Sequence, residues 1–176
     1  GITPDAVIGY SIGELSAAAW AGVFSIEDGV RLVCERARVL ETASDGYMLV
    51  AAADYDCLSR IVSYPMGEVV IKAGPHATVV AGSEKMADEA ESLIRKAGIA
   101  VSRLQTHLPM HSSIIGSEVG SKLRQACAKV SYQDSRVPIF AGLSGKCLKS
   151  KKTLGETYWT EHACKPVDFA RSVQNA

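Results

Sequence analysis

The apolar pattern of this chain changes period several times. Ala6-Val7-Ile8 is a short continuous apolar run, followed at once by Gly9-Tyr10-Ser11-Ile12-Gly13-Glu14 and an Ala-rich stretch to Ala21. The run reads as a strand and the Ala-rich stretch as a helix, with Gly22 placed to cap its C-terminus. Ser25-Ile26-Glu27-Asp28 then predicts an N-cap with an acidic first turn. It opens a second helix with Val30, Val33, Ala37 and Leu40 on one face, which also carries Arg31, Arg36 and Arg38.

From Gly46 the pattern shortens. Strands are expected over Tyr47–Ala52, Val69–Ala73, Thr78–Ala81 and Ile99–Leu104, with a short helix over Cys57–Val62. A strongly patterned helix over Glu84–Ala97 turns Met86, Ala90, Leu93 and Ile94 inward. The order β-α-β-β-α-β is that of a split βαβ, ferredoxin-like unit. Beyond it, His111–Val130 reads as a helix with Ile115, Val119, Leu123 and Cys127 buried, and Val137–Ala141 as a strand. A Gly/Ser/Lys-rich loop follows over Gly142–Lys152, and Tyr158-Trp159 and Pro166-Val167-Asp168-Phe169 close the chain as anchors. An insertion at 46–105 within a core built from 1–45 and 106–176 is the economical division.

Composition narrows the class. With 47% hydrophobic and 22% charged residues, neither disorder nor a membrane span is indicated. Equal numbers of basic and acidic residues, 19 each, leave no excess charge to attract nucleic acid or anionic lipid. The five cysteines are widely spaced without a CxxC pair, which argues against a disulfide framework or a metal site. The opening residues do not resemble a signal peptide, and a cytoplasmic location is expected.

The chemistry centres on Ser11. A strand reversing into a helix within a few residues puts its central residue at a strained apex, and flanking glycines allow the backbones to approach. Ser11 would stand exposed there, and the N–H of Ile12 could donate to an oxyanion formed when Ser11 attacks a carbonyl. Serine needs a base, and the histidines are His76, His107, His111 and His162. His111 is the better candidate because it sits at a strand-to-helix edge beside Ser112 and Ser113, with His107 the competitor. Asp54 and Asp56 could supply an acid but read more simply as turn residues, so a dyad oriented by a backbone carbonyl is expected. Arg36 shares a stripe with Val33 and Leu40. It is either a solvated charge or a bidentate clamp for a substrate carboxylate.

In order and separation these features resemble the malonyl-CoA:acyl-carrier-protein transacylase family, including the acyltransferase domains of polyketide and fatty acid synthases. The resemblance rests on Gly9 to Glu14, Ala21-Gly22, Glu35-Arg36-Ala37-Arg38, Gly46 and Met48, Gly74-Pro75 through Val79-Val80-Ala81-Gly82, His111-Ser112, and the closing Tyr158-Trp159 and Pro166 to Phe169. It implies an α/β fold: a hydrolase-like parallel-sheet core with an inserted ferredoxin-like subdomain and an active site in the cleft between. It also implies a ping-pong reaction in which Ser11, deprotonated by His111, takes an acyl group from coenzyme A. The group then passes to the phosphopantetheine thiol of an acyl carrier protein, with Arg36 holding a malonyl-type carboxylate. No bound cofactor or metal is implied. Partners would be acyl-CoA, the carrier protein and flanking synthase domains.

The chain departs from the family at Tyr10, where His is usual, and at Ala73, where Asn is usual. Leu108-Pro109-Met110 before His111 matches neither the malonyl-selective nor the methylmalonyl-selective pattern. Tyr10, Leu108, Pro109 and Met110 are the expected substrate-pocket residues, and Ile12 favours a malonyl-type group. An acyl hydrolase on the same scaffold, or a non-catalytic synthase fragment, are the alternatives. The resemblance further implies a fragment lacking the family's N-terminal segment, whose Gln is a second oxyanion donor, and its C-terminal end. Loss of one such donor typically costs on the order of a hundredfold in turnover.

Overall fold

The computed structural model describes residues 3–176. In chain order, β1 (Val7–Ile8) leads into α1 (Gly13–Ala21) and α2 (Ile26–Leu40). There follow β2 (Gly46–Ala51), α3 (Tyr55–Ile61), β3 (Glu68–Gly74), β4 (Ala77–Ser83), a 3-10 turn (Glu84–Met86), α4 (Ala87–Lys96) and β5 (Val101–Arg103). The chain closes with α5 (Ser113–Cys127), β6 (Ile139–Phe140), β7 (Cys147–Leu148), α6 (Glu156–Cys164), β8 (Val167–Asp168) and α7 (Phe169–Asn175). No helix among the described residues is long and apolar enough to cross a membrane.

Two sheets organise this α/β fold. The first has the order β1-β6-β7, with β1 and β6 parallel and β7 antiparallel to β6. The expected parallel core sheet is therefore mixed, and β7 arises inside the segment expected to be a loop. Pro138 shortens β6: it lacks an N–H for the ladder yet accepts the Val7 N–H at 2.9 Å. Leu15, Ala18 and Ala21 of α1 pack on this sheet together with Phe24, Ile139, Leu154 and Trp159.

The second sheet has the order β5-β2-β4-β3-β8. Its first four strands are antiparallel neighbours in the arrangement expected of a split βαβ unit, and β8 adds parallel to β3. Both faces are covered. Tyr47, Leu49 and Ala51 of β2 alternate toward Leu58 of α3 and Ala90 and Ile94 of α4. Met48, Val79, Ala81 and Val167 point the other way, where Met110 and Leu143 pack against them. This double burial explains the nearly continuous apolar character of β2. It also places the outer sheet directly on the segment that carries His111.

Several helices differ in phase or start from what the sequence pattern predicts, α3 beginning at Tyr55 rather than Cys57. On α2 the buried positions are Gly29, Leu32, Arg36 and Leu40, whereas Val30 and Ala37 are exposed. A charged residue at one core position had obscured the true stripe. The expected helix over Glu84–Ala97 begins with a 3-10 turn, and that over His111–Val130 begins at Ser113, because His111 adopts φ 62° and cannot be helical. Ser112 caps α5, its hydroxyl accepting the Ile115 N–H at 3.4 Å.

Candidate active site

The elbow is set by β1 and α1. A β-carbon on Gly9 would lie 2.3 Å from the backbone N and Cα of Glu14, so only glycine permits the chain to fold back here. Gly13 differs from expectation, because nothing lies within 4 Å of the corresponding position there. One of the two flanking glycines is sterically required. Ser11 takes φ 49° and α1 begins two residues later with Ile12 as its helical N-cap. Among the described residues the Ile12 N–H has no hydrogen-bond acceptor, leaving a backbone donor open beside Ser11.

His111, not His107, meets the serine. The Ser11 hydroxyl donates to His111 Nε2 across 2.7 Å, while His111 Nδ1–H donates to the carbonyl of His162 across 2.8 Å. That pair of bonds fixes the tautomer. Among the described residues, Ser11 and His111 are also the only non-glycine positions with positive φ. Two strained backbones that converge on one hydrogen bond are the pattern of a functional site rather than of a turn.

His111 is fully buried, and burial pushes its pKa down to about 3, helped by the neighbouring His162 and Arg36; its backbone hydrogen bonds oppose this. The imidazole is therefore unprotonated at neutral pH and able to accept the serine proton. Among the described residues no carboxylate bonds to His111 to complete a triad. Asp54 instead caps α3 by accepting the Cys57 N–H, and Asp56 is exposed. The exposed His107 contributes its carbonyl to the Gly46 N–H at 2.7 Å. His76 is exposed in the turn between β3 and β4.

Behind the dyad lies a buried polar chain. Arg36 is 4% exposed, and its Nη1 donates to His162 Nδ1 at 3.3 Å. Burial lowers the Arg36 pKa, with Cys127, Cys164 and Glu14 partly restoring it. Glu14, the last residue of the elbow motif, is also fully buried. Its Oε2 accepts the Gly142 N–H at 3.0 Å and its Oε1 accepts the Tyr158 hydroxyl. The Oε2 atom also lies 3.3 Å from His162 Nε2, without a complete hydrogen bond. Among the described side chains, the buried polar atoms left without a partner are Arg36 Nη2 and His162 Nε2.

His162, Glu14 and Tyr158 were not among the residues expected to form the site. A signal exists for them: Tyr158 and His162 stand four apart on α6 and so share one face, where their rings stack at 6.1 Å. A buried acid such as Glu14 requires donors of that kind.

The expected pocket residues are distributed differently. Tyr10 is 43% exposed and meets Phe169 edge to face at 4.9 Å. Pro109 is buried beneath Gly46, and Leu108 and Met110 pack against the cluster of Leu40, Ile115, Val119 and Ala163. An apolar groove of about 630 Å³ runs between α1 and α2 past Ile12, Trp20, Val30 and Val33, but Ser11, His111 and Arg36 do not line it. None of the five cysteines is paired.

A serine on a strand–turn–helix elbow, hydrogen-bonded to a histidine and roofed by a split βαβ sheet, gives an α/β fold with a serine–histidine pair suited to acyl chemistry. The family model for the acyl transferase domain matches residues 1–176, and the chain belongs to that family. It is 32% identical over 178 aligned residues to Non-reducing polyketide synthase 1 of Elsinoe fawcettii, covering 99% of this chain and 8% of the synthase. The acyltransferase domain from the second module of the salinomycin polyketide synthase is 30% identical, with a TM-score of 0.89 over 99% of this chain and 41% of that one. The acyl transferase domain of SpnD, solved in complex with 2-(pent-4-yn-1-yl)malonyl, is 25% identical with a TM-score of 0.93 over 99% of this chain and 42% of that one. The chain thus spans less than half the length of these structural relatives.

Proposed function

We propose that the chain transfers a malonyl-type acyl group from coenzyme A to the phosphopantetheine thiol of an acyl carrier protein, in polyketide or fatty acid biosynthesis. In this reading His111 Nε2 takes the proton of Ser11 Oγ as that oxygen attacks the thioester carbonyl. The oxyanion is met by the Ile12 N–H. Collapse breaks the carbon–sulfur bond, and the proton held by His111 goes to the departing thiol. The carrier thiol then gives its proton to His111 and attacks the serine ester, which restores the Ser11 hydroxyl. Residues 1–45 and 106–176 supply this chemistry, and 46–105 form the subdomain above it.

The observation that carries the choice of a carboxylated group is Arg36. A buried guanidinium with an unpartnered Nη2 and no acid in direct contact is costly unless a ligand completes it. A malonyl carboxylate has the charge and the two oxygens to do so. The substituted malonyl group held by the SpnD domain supports the same class of ligand. In the full-length protein, Arg36→Ala is expected to lower Ser11 loading from malonyl-CoA by on the order of a hundredfold relative to loading from acetyl-CoA. Equal losses with both donors, measured by acyl-enzyme formation, would remove the clamp.

A further inference from the structure

The side chain of His162 sits where two functions meet. Its main-chain carbonyl accepts the His111 Nδ1–H at 2.8 Å, and its own Nδ1 lies 3.3 Å from Arg36 Nη1. A guanidinium only donates, so His162 Nδ1 must be the acceptor and the ring proton must sit on Nε2. That proton faces Glu14 Oε2 at 3.3 Å. Glu14 is anchored in turn by the Gly142 N–H and the Tyr158 hydroxyl, which fixes one end of the chain to the elbow helix. His162 itself is fully buried and wedged between the rings of Tyr158, Trp159 and His111.

We propose that the His162 imidazole is a positioning residue for carboxylate selection: it holds Arg36 by Nη1 so that the free Nη2 faces the substrate, with Glu14 as the anion that steadies it. This rests on the reading of Arg36 as the carboxylate anchor. The arrangement makes one residue serve both ends of the site, the carbonyl aiming the base and the ring aiming the anchor. It also accounts for the two unpartnered buried atoms, Arg36 Nη2 and His162 Nε2, falling in the same chain. An arriving carboxylate satisfies Nη2, and a small rotation of the ring would bring Nε2–H into line with Glu14. Because Glu14 belongs to the elbow, the same contact ties Arg36 on α2 to the helix that presents Ser11.

The test compares His162→Phe, which keeps an aromatic ring and the backbone carbonyl, with His162→Asn, whose amide oxygen can replace Nδ1 as acceptor. Both are made in the full-length protein, alone and on Arg36→Ala. The readout is the ratio of kcat/KM for malonyl-CoA to that for acetyl-CoA in acylating Ser11. A hydrogen bond to a charged group is worth enough that His162→Phe should lower this ratio at least tenfold, chiefly through the malonyl-CoA KM. His162→Asn should recover part of it, and on Arg36→Ala neither change should move the ratio further. A role limited to packing or to aiming His111 lowers both donors alike, so an unchanged ratio in His162→Phe overturns the proposal. If instead Arg36→Ala leaves the ratio intact, the clamp reading itself has failed.

Discussion

Replacing His111 by Ala is expected to slow acylation of Ser11 by on the order of a hundred- to ten-thousandfold, the usual contribution of a positioned general base. The geometry behind this is specific: a 2.7 Å bond from the serine hydroxyl, a second bond at 2.8 Å that fixes the tautomer, and no competing histidine. His107→Ala is the contrast, since only its backbone carbonyl contributes to the structure, and it should leave the rate within about twofold. The same burial sets the pH response. A histidine lowered to about 3 stays unprotonated through mild acid, so kcat/KM should show no inflection near 6.5, the ordinary value.

The sign for stability follows from the same shift. The unfolded chain binds a proton at His111 as the pH falls through about 6.5, whereas the folded chain refuses it until about 3. Stability attributable to this group is therefore present above the unfolded value and is lost progressively through that window. His111→Gln should make acid denaturation less steep across it, as measured by chemical melts at several pH values.

Gly9→Ala carries the other large effect. The added methyl would meet the Glu14 backbone at 2.3 Å, a contact that no side-chain rotation relieves. Either β1 or α1 must shift, with a cost of about 3 kcal/mol or more. Ser11 moves with them, so activity should fall along with stability. Gly13→Ala meets open space and removes a flexible residue from the first turn of α1. It should be neutral or stabilising by up to about 1 kcal/mol. Urea denaturation of the two variants side by side separates a steric requirement from mere glycine content.

These two residues show what the sequence could and could not disclose. The elbow was readable because its strand, turn and helix are contiguous and the apolar period changes at Gly9. The first four strands of the outer sheet were readable for the same reason, as they alternate or run apolar between clear turns, whereas β8 was not, because Val167–Asp168 is only two residues long and joins the sheet from a distant part of the chain. The base was harder. From residues alone His111 and His107 both stood beside the right turn, and what separates them is a backbone at φ 62°, which composition does not encode. Arg36 was ambiguous because a cation on a core stripe breaks the amphipathic pattern that would have located the stripe. His162 was missed because its part in aiming the base comes from a carbonyl, and every residue has one. The strand at Cys147–Leu148 hid among lysines that suit an exposed edge strand as well as a loop.

Acyl transfer by this route requires that Ser11 carry the acyl group, which brief exposure of the full-length protein to malonyl-CoA followed by peptide mapping would reveal. One malonyl addition is expected, located on the peptide containing Ser11, absent from Ser11→Ala and discharged on adding phosphopantetheinylated carrier protein. A folded protein that takes up no malonyl group, or takes it up elsewhere with Ser11→Ala still transferring, would contradict it.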